Sequence, residues 1–78
     1  MDDLSLAHIG AKALDAEQLE VVRYVIVHEL TETQAATLLT ELSDRVYNRD
    51  RVHRILLTSL ARMRRAIEAH RDSGAVAA

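Results

Sequence analysis

The chain has no cysteine, no proline, no tryptophan and no phenylalanine, and only two of its 78 residues are glycine. Without cysteine, neither a disulfide framework nor a thiolate zinc site can support a small core. Without proline, and with glycine only at Gly10 and Gly74, segments must be ended by capping residues and by breaks in the hydrophobic period. The aromatic residues are just Tyr24 and Tyr47, which argues against a platform for stacking single-stranded bases. No apolar run approaches the length of a membrane span, and Met1-Asp2-Asp3 opens without a basic region before an apolar one. The expectation is a cytoplasmic chain with no membrane partner.

What is present is 49% hydrophobic and 28% charged residues, a balance that suits one folded domain. We expect that domain to cover residues 1–71, with 72–78 as a disordered tail lacking periodicity. A core from a chain this short is marginal, so a second copy of the chain is the expected support. The net charge of −2 hides an uneven division. Residues 1–42 carry Lys12 and Arg23 against eight carboxylates, whereas 43–71 carry eight arginines against Asp44, Asp50 and Glu68. A basic half of this kind suits a polyanion, and it equally suits two helix faces of opposite sign that attract each other.

Periodicity and caps predict an all-α fold, a small bundle of about four helices. Asp3 can cap a short helix with Leu6, Ile9 and Ala13 on one face, weakened by Gly10. Asp15, followed by Glu17 and Gln18, starts a helix to about Leu30 with a core stripe of Leu19, Val22, Ile26 and Leu30. The run 21–27 is also rich in strand formers, and a buried strand is its rival reading. Thr31 and Gln34 form a capping box for a helix from Glu32 to about Leu42, with Ala35, Ala36, Leu38, Leu39 and Leu42 at spacings of 3 and 4. Residues 43–48 read as an irregular connector anchored by Val46 and Tyr47. Asn48 then caps the longest helix, running through His70, with Val52, Ile55, Leu56, Leu60, Met63 and Ile67 as core and Arg51, Arg54, Thr58, Ala61, Arg62 and Arg65 opposite.

The stretch 14–67 resembles the region-four DNA-binding domain of bacterial sigma factors, a helix-turn-helix module. The likeness begins at Leu14-Asp15-Ala16-Glu17-Gln18-Leu19-Glu20-Val21-Val22-Arg23 and continues at Leu30-Thr31-Glu32-Thr33-Gln34-Ala35-Ala36-Thr37-Leu38-Leu39. It closes at Arg51-Val52-His53-Arg54-Ile55 and Leu60-Ala61-Arg62-Met63-Arg64-Arg65-Ala66-Ile67, similar to a recognition helix and its basic trailing end. The departure lies between the motif helices, where the stretch from Leu39 to Val52 is about six residues longer than an ordinary turn and has no glycine. The resemblance implies a sequence-specific duplex DNA-binding protein, hence transcription regulation, with RNA polymerase or a regulatory protein as a further partner. It places Arg49, Arg51, His53 and Arg54 toward the major groove, where arginine can pair with guanine, and Arg62, Arg64 and Arg65 on phosphates. Thr31 and Thr33 are further phosphate donors. The rival is a protein-interaction module whose basic helix docks an acidic partner of the transcription machinery.

No enzyme chemistry is expected. The histidines His8, His28, His53 and His70 lack metal-site spacing, and there is no phosphate loop, no nucleophile elbow and no motif that asks for a cofactor. Finally, Val21 and Val25 project away from the expected stripe of the second helix, and Leu57 lies outside that of the last. These three are the expected homodimer interface.

Overall fold

A computed structural model of the chain describes residues 3–72. Helix α1 spans Asp3–Lys12, and α2 spans Ala16–Val22 before widening without a break into a π-helical turn at Arg23–Val27. Helix α3 spans Glu32–Leu42 and α4 spans Arg49–Asp72. There is no strand among the described residues, so the run 21–27 is helical and the fold is all-α. Of the tail expected at 72–78, Asp72 closes α4 and the rest lies outside the described residues, as do the side chains of Asp3 and Leu6.

Each start after α1 is set by a side chain that satisfies amides the helix itself cannot. Asp15 accepts from the Gln18 amide at 2.8 Å while Gln18 Oε1 accepts from the Asp15 amide at 3.2 Å. Thr31 and Gln34 repeat this reciprocal pattern at 3.1 and 2.9 Å. Asn48 Oδ1 accepts from the Arg51 amide at 2.8 Å at the head of α4. Helix α1 ends on two tight bonds, Ala13 N–H to Gly10 C=O and Leu14 N–H to Ala11 C=O, both at 3.1 Å.

The second helix stops short of the expected Leu30. Its β-branched run Val25-Ile26-Val27 crowds a regular α turn, and there the ladder gives way to a wider bond from His28 N–H to Arg23 C=O at 3.0 Å. Glu29 then takes a left-handed conformation, φ 56°, and the Leu30 amide bonds back to Tyr24 C=O at 3.0 Å, turning the chain into α3.

The core joins Val21, Val22, Ala35, Ala36, Leu39, Tyr47, Val52 and Leu56. Three expected stripes need correcting. On α3 the buried line ends at Leu39, since Leu42 is 67% exposed. On α2 the buried line is Gln18, Val21, Val22 with Val25 behind it, at i, i+3, i+4, i+7, while Ile26 is 53% exposed. A glutamine occupies the position where an apolar residue would have marked the face, which displaces the apparent stripe by one residue. Val21 has no exposed surface and Val25 is packed against the core, so the expected interface pair is largely spent within one chain. On α4 the buried line is Val52, Leu56 and Ser59, with Met63 partly buried, while Leu60 is 40% exposed. Ser59 is wholly buried because its hydroxyl is satisfied locally, donating to Ile55 C=O at 2.6 Å.

Helix α4, about 36 Å long at 1.5 Å per residue, is the spine on which α1, α2 and α3 each pack. The molecule accordingly measures 46 × 18 × 17 Å. Gly10 marks where α1 comes closest: a Cβ there would stand 3.1 Å from Met63 Cε and 3.2 Å from its Cβ. The glycine that weakens α1 as an isolated helix is what lets it approach α4. In the connector, hydroxyls stand in for a turn glycine. Thr40 Oγ1 accepts from Tyr47 N–H at 2.8 Å and donates to Ala36 C=O at 2.8 Å, and Ser43 Oγ donates to Leu39 C=O at 2.8 Å. Tyr47 is the anchor expected of it; Val46, 77% exposed, is not.

Candidate nucleic-acid interface

Helical geometry sets Arg51, Arg54, Thr58, Arg62 and Arg65 in a line along α4, about 21 Å from first to last. The line borders the side of α4 that meets α2. Asp15, Glu17 and Gln18 from the start of α2 and Arg51, Arg54, Ile55 and Thr58 from α4 enclose an open cleft of ≈ 420 Å³. The two halves of opposite charge meet here.

Glu17 is the hub of that meeting. Its Oε2 accepts from the Tyr47 hydroxyl at 2.6 Å and lies 3.4 Å from Arg45 Nη1 and 3.7 Å from Arg51 Nη2. The Arg51 guanidinium also sits 4.8 Å from the centre of the Tyr47 ring, within range of a cation–π contact. The hydrogen bond to Glu17, burial and the Glu17 charge together push the Tyr47 hydroxyl above its ordinary pKa, against the opposing pull of Arg51 and Arg45. Beyond it, Arg62 Nη1 donates to Gln18 Oε1 at 2.9 Å, so the buried glutamine serves both its helix cap and the arginine line.

The four residues expected to face one groove divide between two sides of α4. At 100° per residue, Arg49 and His53 lie about 40° apart on one side, and Arg51 and Arg54 about 60° apart on another. His53 Nδ1 is 2.5 Å from Glu32 Oε2 in the first turn of α3, and Arg64 on the same flank bonds Glu68 at 3.1 Å. Arg51 and Arg62 are held by α2, whereas Arg54 and Arg65 make no hydrogen bond or ion pair among the described residues. Thr58 is exposed between them, and Leu57 is 53% exposed on the outer flank.

The sequence marks the arginines but not Glu17 and Tyr47, which hold Arg51, or Gln18, which holds Arg62. The opposite charges of the two halves were the available signal. Among the described residues no cluster of three or more histidines or carboxylates is placed to hold a metal, and no helix is long and apolar enough to cross a membrane.

Fold and surface together define a small all-α domain with an arginine-lined cleft. Compared with known proteins, the chain matches no family model, no curated protein and no solved structure.

Proposed function

We propose that the chain is a non-enzymatic, sequence-specific duplex DNA-binding module of the cytoplasm that regulates transcription through α4. The observation that carries this reading is the pair of unpartnered guanidinium groups, Arg54 and Arg65, on one line with the small side chains of Thr58 and Ala61. Arg54 is the base-reading residue, since a free guanidinium near the head of an exposed helix can take guanine O6 and N7 together. Arg65, three turns on, takes phosphate. The decisive experiment is binding to random duplex DNA across a salt series. Each phosphate neutralised contributes about −0.9 to the log–log slope, and a flat response would remove the nucleic acid from the reading.

A second reading is favoured by a separate observation. Ile26, Val27, Leu42, Val46, Leu57 and Leu60 are all large, apolar and 40% exposed or more, a pattern that suits a protein partner. That partner is a second copy of the chain, or an acidic subunit such as RNA polymerase or one of its regulators that docks on the arginine line. A chain mass of twice the monomer, or capture of such a subunit, with no duplex binding in either case, would favour this alternative.

A further inference from the structure

Arg51 stands on the proposed DNA line and yet is turned inward, and the group that turns it is a carboxylate. Glu17 sits in the first turn of α2 with its Oε2 facing three donors: the Tyr47 hydroxyl, Arg45 and Arg51. The Tyr47 bond, at 2.6 Å from a buried ring, fixes where that oxygen lies. A carboxylate held among guanidinium groups offers them what a phosphate would offer: an anion with paired acceptor oxygens. Arg54 lines the same cleft and is not engaged by it.

We propose that Glu17 is an internal phosphate mimic that withholds Arg51 from the duplex, so that the resting chain grips DNA without it. This rests on the DNA-binding reading above. Arg51 is held at four points: its amide on the Asn48 cap, its guanidinium over the Tyr47 ring, its Nη1 donating to Val46 C=O at 3.4 Å, and its Nη2 3.7 Å from Glu17 Oε2. Only the last pairs it with an opposite charge. Neutralising Glu17 while preserving its shape therefore loosens the guanidinium, leaving it on the weaker Tyr47 and Val46 contacts, without moving the helix. Both partners are partly exposed, so the restraint is modest and can be lifted by an acidic surface, by salt or by substitution.

The test is a double-mutant cycle on the full chain with random duplex DNA, using Glu17→Gln, Arg51→Ala and the two together. Glutamine still accepts the Tyr47 hydroxyl, so the fold is retained, which the helical circular dichroism of each variant monitors. Glu17→Gln is expected to tighten binding about two- to fivefold and to steepen the salt slope by about 0.9, one further phosphate. Arg51→Ala is expected to leave affinity and slope unchanged in the otherwise natural chain and to abolish the gain in the Glu17→Gln background. If the natural chain binds DNA and Glu17→Gln changes neither affinity nor slope, the mimicry is wrong and the DNA reading stands. If no variant binds duplex, both fall. Should Glu17→Gln fail to fold, Arg51→Ala alone decides: a slope shallower by about 0.9 would mean that Arg51 already reaches phosphate, which overturns the proposal.

Discussion

At the scale of single residues, chemistry here is decided by which partner each polar group finds inside the chain. The eight arginines of the second half are equal in the sequence, yet Arg45, Arg51, Arg62 and Arg64 have intrachain partners and Arg49, Arg54, Arg65 and Arg71 have none among the described residues. Arg54→Ala is therefore expected to cost about 1–3 kcal/mol on a specific duplex, and Arg65→Ala to weaken all duplexes alike; titrations on selected and random DNA separate the two. Tyr47 carries a different expectation. Its folded pKa is raised, so the folded state prefers the protonated hydroxyl. The stability this confers is complete below the unfolded tyrosine value near 10 and is lost as pH rises through the higher folded one. The urea midpoint should accordingly fall as pH climbs above about 10 in the natural chain, and fall less in Tyr47→Phe, which starts about 1 kcal/mol lower for want of the hydrogen bond.

At the scale of elements, caps were legible and faces were not. Thr31 with Gln34, Asp15 with Gln18 and Asn48 are short-range devices within a few residues of one another, and the sequence placed all three. The buried faces of α2 and α4 include Gln18, which takes Arg62 across the fold, and Ser59, which bonds back along its own helix, and a stripe drawn through apolar residues alone misses them. The arginine line on α4 followed from helical period, whereas its pairing with α2 depended on tertiary packing. Two substitutions test the packing. Ser59→Leu places a large side chain where the natural one has no exposed surface and should cost about 1–3 kcal/mol or more, while Ser59→Ala should be nearly neutral because the Ile55 carbonyl that loses the hydroxyl keeps its helical N–H partner. Glu29→Gly should raise stability by about 0.5–1 kcal/mol, since Glu29 is exposed and its φ of 56° is one that glycine adopts without strain. Denaturant melts of the three variants measure each; an unchanged midpoint for Ser59→Leu would contradict the tight packing of α4.

At the scale of the molecule, the question is what completes a core of eight of the described residues in a chain of 8.7 kDa. Three helices laid on one long spine leave much of α4 open, and Leu57 and Leu60 are 53% and 40% exposed along it. We propose a homodimer on that open flank. The Val21 and Val25 portion of the expected interface gives way, because Val21 is wholly buried and a charge there would unfold the single chain before it could separate a pair. Leu57 remains, well exposed and on the outer side of α4, where a glutamate costs the single chain little. A two-fold axis beside Leu57 would set two α4 helices on one duplex and make the preferred site an inverted repeat, with half-sites about one helical turn apart. Equilibrium sedimentation at micromolar concentration should give twice the chain mass for the natural protein and one chain mass for Leu57→Glu, with helical content unchanged. A natural chain that sediments at 8.7 kDa, as Leu57→Glu does, would leave the open flank of α4 to a different protein.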